Sequence, residues 1–491
     1  MRYLKLMAVL LTAGFIIVSC GGKDDLTPEP EPVPGPVTDS ASVSDIPVLP
    51  AHELRGVWVA TVSGLDWPQG EYSESEQKSL YISFLNLFKS LNINAVFFQV
   101  RPDADAFYKS EYEPWSKYIT GTADKDPGYD VLKFLVDETH SKGMQFHAWI
   151  NPYRIASRSG ASASFPALDS RIPSAWIKDY NKVRVYNPAL PQVRDRIAAI
   201  VKDLVTRYDV DGIHMDDYFY PSLQSGESMN DEAEYAEYGS AFSTMADFRR
   251  SNVSIMVQKV QNAIITTRPE VIFTISPQGN YNNNYNTQYI DVPQCCSNRW
   301  IDAVIPQLYW STSAKTDYFT PRLDWWASNV SDTPLMIGYG IYRFGSGSDG
   351  FSYSGELQTE FNLASSKSNV VGGILYRAKN LVDNKLNINS IIRGEYKNKA
   401  LPPYLGRTTA QAPGKPSGIV VHGSTLSWQE VEGSSRYAVY KDNGNKKKAT
   451  LIGVSSTNSY VLSGNGVYFV TALSETNAES GYSDLVAYSV Y

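Results

Sequence analysis

Cysteine is scarce in this chain, three residues in 491, and two of them, Cys295 and Cys296, are neighbours. Adjacent cysteines close only a strained ring, so no disulfide framework holds the fold, and the pair lacks the spacing of a zinc site. Both are expected to be structural. Histidines number five, and neither HExxH nor the HxH pair of metal-dependent amidohydrolases occurs. This weighs against metal catalysis, although His147, His214, Asp216 and Asp217 are competent ligands. No metal and no cofactor are expected. Serine nowhere sits in a nucleophile elbow, since "ISPQG" lacks the flanking glycine pattern. No long basic run offsets the net charge of −7, which excludes a general nucleic-acid binder.

Aromatic residues are in surplus: 33 tyrosines and 10 tryptophans. Rings with one polar edge suit sugar binding, because an aromatic face stacks on the C–H face of a pyranose. The length allows a large core and more than one domain.

The N-terminus reads as an address. Arg2 and Lys5 precede "LMAVLLTAGFIIVS", a run too short to span a membrane, which ends at Cys20. "IVSC" resembles the lipobox of bacterial lipoproteins. That resemblance implies a signal peptide over residues 1–20, lipid on Cys20 and attachment to a membrane. Glycine at 21 implies an outer-membrane lipoprotein facing the periplasm or the cell surface, and "CGGKDD" resembles a surface-export tag. Residues 21–50, rich in Pro, Glu and Ser, cannot collapse and are expected to form a tether.

Eight short apolar runs then alternate with amphipathic segments: "RGVWVAT", "NAVFFQVR", "MQFHAWINPYR", "GIHMDDYF", "IFTISP", "AVIPQLYW", "LMIGYGIYR" and "GGILYRAKN". Segments such as "QVRDRIAAIVKDLVTRY" carry apolar positions at helical spacing. The alternation predicts an α/β fold, a (β/α)8 TIM barrel over residues 51–403. A doubly wound sheet would carry a Gly-rich phosphate loop after its first strand, where "VSGLDWPQGEY" stands instead. After a linker at 404–414, residues 415–491 show short alternating strands. Trp428, Tyr437, Tyr440 and Tyr468 there resemble a fibronectin type III β-sandwich.

Barrel chemistry sits at the C-terminal strand ends. The residues falling there are Arg101 and Asp105 from the second strand, and His147, Asn151, Tyr153 and Arg154 from the third. The fourth gives His214, Asp216, Asp217 and Tyr218, the sixth Gln307, Tyr309 and Trp310, the seventh Tyr339 and the eighth Tyr376. All are expected to line one pocket. Glycoside hydrolysis fits such a pocket, needing one protonated carboxyl and one ionised. Asp216 and Asp217 are the catalytic candidates. Two close carboxylates cannot both ionise cheaply, so one should hold its proton.

"HELRGVWVAT", "NAVFFQVRPDADAFYKSEYEPWS", "FHAWINPYR", "DGIHMDDYFYP", "TISPQG", "WIDAVIPQLYW" and "GYGIYR" together resemble the glycosyl hydrolase-like 10 family, from residue 52 to about residue 400. The resemblance implies a (β/α)8 barrel of the bacterial envelope that cleaves peptidoglycan glycan strands, notably strands stripped of peptide. Related barrels of exopolysaccharide deacetylases carry a similar "DD", which matches Asp216 and Asp217.

The expectation is a monomeric, membrane-anchored glycoside hydrolase acting on an amino-sugar polysaccharide. Asp217 is expected to be the acid. Asp216 would hold an acetamido group of the substrate or the developing cation, with His214 and His147 setting its hydrogen bonds. Hydrolysis of another glycan and non-catalytic glycan binding are the alternatives.

Overall fold

The computed structural model describes residues 46–313, 318–347, 350–405 and 411–489. The expected signal peptide, Cys20 and nearly all of the tether lie outside the described residues.

Eight parallel strands close on themselves. In chain order they are Leu54–Val59, Ala95–Arg101, Gln145–Ile150, Gly212–Met215, Ile272–Ile275, Ala303–Val304, Leu335–Tyr339 and Val370–Tyr376. Each pairs with the next, and the eighth returns to the first through Leu54↔Gly372 to Trp58↔Tyr376. The sixth strand is broken. Pro306, which has no N–H for the ladder, separates Ala303–Val304 from a second piece, Gln307–Leu308, and both pieces pair with the seventh strand.

Every residue of the first three strands is buried. A parallel strand covered on both faces must be apolar on both, which is why the runs read as continuous. Their two sides nonetheless pack differently. Trp58, Phe97, Trp149, Met336 and Ile374 point into the barrel; Val57, Phe98, Ala148, Ile213, Ile337 and Tyr339 meet the helix layer. Gly212 is obligatory where the third and fourth strands touch, because a Cβ there would come within 2.2 Å of His147 Nδ1.

The helices fall between strands as expected, among them Glu74–Ser90, Val131–Ser141, Pro191–Arg207 and Met245–Thr267. Ser73 caps the first by accepting from Glu76 N. Between the third and fourth strands lies a feature the sequence did not announce, an antiparallel sheet of Arg154–Ser157, Val183–Tyr186 and Ile177–Asp179.

The C-terminal residues form two antiparallel sheets. One orders Val420–His422, Thr425–Ser427 and Ser459–Val461; the other orders Thr450–Ser455, Arg436–Asp442, Gly466–Leu473 and Val486–Tyr488. They pack against the N-terminal end of the barrel. Val48 pairs with Lys448, Leu49 and Leu401 join the core of Ala438, Tyr440 and Phe469, and His52 Nε2 lies 2.7 Å from Glu479 Oε2. Residues 46–50, expected in the tether, therefore belong to the packed body. Leu405, expected in the linker, is buried beneath the barrel. Among the described residues no helix is long and apolar enough to cross a membrane.

Candidate active site

The fourth strand ends at Met215, so Asp216 and Asp217 begin the loop at the C-terminal mouth. Asp216 keeps the inward side of His214 and is 3% exposed. Its Oδ2 accepts from Trp149 Nε1 at 3.1 Å and its Oδ1 from the Tyr218 N–H at 3.3 Å. Burial raises its pKa to about 7, the charge of Asp217 adds to the rise, and Arg154 opposes it.

Asp217 is half-buried and faces a more open space. Gln307 Nε2 donates to its Oδ1 at 3.2 Å and Gln288 Nε2 to its Oδ2 at 3.5 Å. Burial raises its pKa too, while the amides of Gln307, Gln278 and Gln288 hold it back. Asp217 lines a pocket of about 300 Å3 together with Gln278, Tyr309, Trp310, Tyr342 and Arg343. Tyr309 stacks on Tyr376 with ring centres 5.6 Å apart, and Tyr342 stands edge-on to both. These rings make an aromatic wall over the carboxyl pair. On the other side the Arg154 guanidinium lies 4.5 Å from the centre of the exposed Tyr218 ring, and its Nε donates to Asp103 at 2.9 Å.

The structure thus brings Asp216, Asp217, Arg154, Tyr218, Gln307, Tyr309, Trp310 and Tyr376 to one mouth. Other expected members go elsewhere. Tyr339 is the outward residue of its strand, packed between Phe319 and Phe361 in the helix layer. Arg101 is fully buried and grips Glu113, its Nε donating at 2.7 Å. Tyr153 is fully buried in the outer core. Asn151 is also fully buried, and its Oδ1 accepts from Arg154 N at 3.3 Å, so it shapes the loop instead of meeting substrate. Asp105 stands behind Asp103, accepting from its N–H at 3.4 Å; burial and then the Asp103 charge push it up to about 7.

The histidines also differ from expectation. Trp58 Nε1 donates to His214 Nε2 at 3.0 Å, which places the ring proton on Nδ1, 2.9 Å from Thr274 Oγ1. Burial holds His214 neutral. His147 stacks on Phe97 with ring centres 4.3 Å apart, and burial lowers its pKa to about 4. Both are interior residues, and neither bonds to Asp216. The residue that does, Trp149, was overlooked, although in "HAWIN" it shares the side of His147 and Asn151. Among the described residues no three His, Cys, Asp or Glu side chains are placed to hold a metal ion.

Residues 53–348 match the glycosyl hydrolase-like 10 family. The chain is 35% identical over 435 residues to the glycosyl hydrolase YngK of Bacillus subtilis, covering 82% of this chain and 85% of that protein. It is 33% identical over 412 residues to the glycosyl hydrolase DigH of Escherichia coli K12, covering 75% of this chain and 92% of the other. The chain belongs to the glycosyl hydrolase-like 10 family and is a glycoside hydrolase.

Proposed function

We propose that this glycoside hydrolase cleaves an N-acetylated amino-sugar polymer, the glycan strand of peptidoglycan, and that it does so as a lipoprotein held at the outer membrane by lipid on Cys20. The observation that carries the reading is the adjacent Asp216–Asp217 pair under an aromatic wall: among the described residues Asp217 is the one carboxylate lining the pocket, and Asp216 is buried beside it. A retaining enzyme built from two protein carboxyls sets them on opposite sides of the bond, about 5 Å apart. Neighbouring carboxyls do not straddle a bond in that way. An acetamido group on the substrate supplies the missing nucleophile: its carbonyl oxygen attacks the anomeric carbon while the glycosidic bond breaks.

One proton serves this chemistry. In the free site it rests on Asp216, whose pKa is about 7. An acetamido N–H placed against Asp216 favours the ionised form of that carboxyl. The proton is then left to Asp217, which faces the open pocket and can give it to the leaving oxygen. Tyr309 and Tyr376 offer a face for the sugar ring.

The C-terminal sheets serve as a fibronectin type III-like accessory domain. Their strand order supports this, as does Tyr468, whose hydroxyl at the start of a central strand donates back to Gly464 O at 2.5 Å.

Purified glycan strands stripped of peptide provide the test. The wild-type protein should release reducing ends, and Asp216→Asn and Asp217→Asn should fold yet turn over about 10²-fold more slowly or worse, the scale of general acid–base catalysis. Binding of strands without release of ends would make the protein a glycan binder. Cleavage of a different polysaccharide alone would replace the substrate.

A further inference from the structure

A second cavity, of about 270 Å3, lies beside the catalytic pocket. Gly279 lines both. The far wall of the second cavity is an aromatic pair: Tyr281 stacks on Trp325 with ring centres 4.5 Å apart and planes 20° from parallel. Both rings are half-buried, and Tyr318 at the rim is exposed. The near side carries Arg322, whose guanidinium lies 4.9 Å from the ring centre of Trp310, itself a wall of the catalytic pocket. Asn280 and Asn282 line the edge, the Asn280 Oδ1 accepting from the Asn282 N–H at 3.1 Å and leaving its amide NH2 group to donate.

The floor between the two cavities is rigidly built. Trp326 is fully buried and donates its indole N–H to Gly279 O at 2.9 Å. Its neighbour Trp325 is thereby fixed toward the cavity on the same helix, Phe319–Asn329. A side chain at residue 279 would collide with Trp310, its Cβ coming within 2.5 Å of the ring. Glycine keeps Trp310 in place and the passage between the cavities low.

We propose that the Tyr281–Trp325 cavity is a remote subsite, holding a further N-acetylated pyranose of the chain whose bond is cut at Asp216–Asp217. Two features argue for a sugar: a stacked aromatic face suits the apolar face of a pyranose, and the asparagine amides suit hydroxyl and acetamido groups. Continuity through Gly279 argues that this sugar belongs to the same polymer. The subsite rests on the glycosidase reading of the neighbouring pocket, and it makes the enzyme favour long substrates.

Binding, not cleavage, is the measurement. Affinities for β-1,4-linked N-acetylglucosamine dimer and hexamer are compared by calorimetry in the Asp217→Asn protein, alone and combined with Trp325→Ala or Tyr281→Ala. The hexamer should bind about tenfold or more tightly than the dimer, and either alanine should erase most of that ratio, the scale of an aromatic contact at a binding hot spot. Melting curves that match the parent identify variants that fold, and Trp325→Phe should retain much of the ratio. A ratio near one in the parent, or a ratio unchanged by both alanine variants, overturns the subsite. Failure of the wild-type protein to cleave glycan while the ratio persists would instead count against the catalytic proposal alone.

Discussion

Trp149 and Asp216 meet at the barrel mouth, the indole N–H donating to the carboxyl at 3.1 Å. A donor of this kind favours the ionised carboxylate and lowers its pKa. Trp149→Phe removes the donor and keeps the ring. The pKa of Asp216 should rise above its value of about 7, and the alkaline limb of the rate profile should move to higher pH. An unmoved limb would separate Trp149 from the catalytic proton.

The same carboxyl ties stability to pH. Its pKa rises on folding from 3.8 to about 7, so between those values the native state binds the proton that the unfolded state has released. Stability from this group is greatest at low pH and declines as pH climbs toward 7. Asp216→Asn abolishes the decline. The variant should gain more in melting temperature over wild type at pH 8 than at pH 4, since other titrating groups such as Asp105 are common to both proteins. An equal difference at the two pH values would show that Asp216 keeps an ordinary pKa.

The barrel was legible because strands covered on both faces are written as unbroken apolar runs, and eight of them in rhythm with helices leave few alternatives. The same unbroken burial hid which side each residue takes. Tyr339 looked like a mouth residue, yet it shares the outward side of Leu335 and Ile337. Arg101 and Asn151 are polar residues near strand ends that are used up structurally: Arg101 pairs with Glu113 from the following loop, and Asn151 turns to the backbone N–H of Arg154 three residues on, neither of which strand periodicity reveals. The histidines misled for a related reason: His214 is satisfied inside the barrel by Trp58 and Thr274. Asp216 and Asp217 stood out because two adjacent charges closing an apolar strand have no packing rationale.

Trp310 should act in binding more than in stability. It is half-buried and lines the pocket with Asp217. Trp310→Ala should weaken glycan binding with little change in melting temperature. A stability loss of ~3 kcal/mol or more, usual for truncating a core aromatic, would make it part of the core.

Attachment through Cys20 is tested in the native host. Cys20→Ala should leave an unprocessed precursor that incorporates no labelled fatty acid. Normal processing and membrane recovery of that variant would refute the lipoprotein assignment.

The way the chain enters its barrel has a mechanical consequence. Before Leu54 begins the first strand, Val48 pairs with Lys448, Leu49 packs against the C-terminal core and His52 is joined to Glu479. A pull applied at Ile46 is borne first by the edge of the C-terminal sheets. Such a load enters at the end of the barrel opposite the mouth, away from Asp216, Asp217 and their aromatic wall.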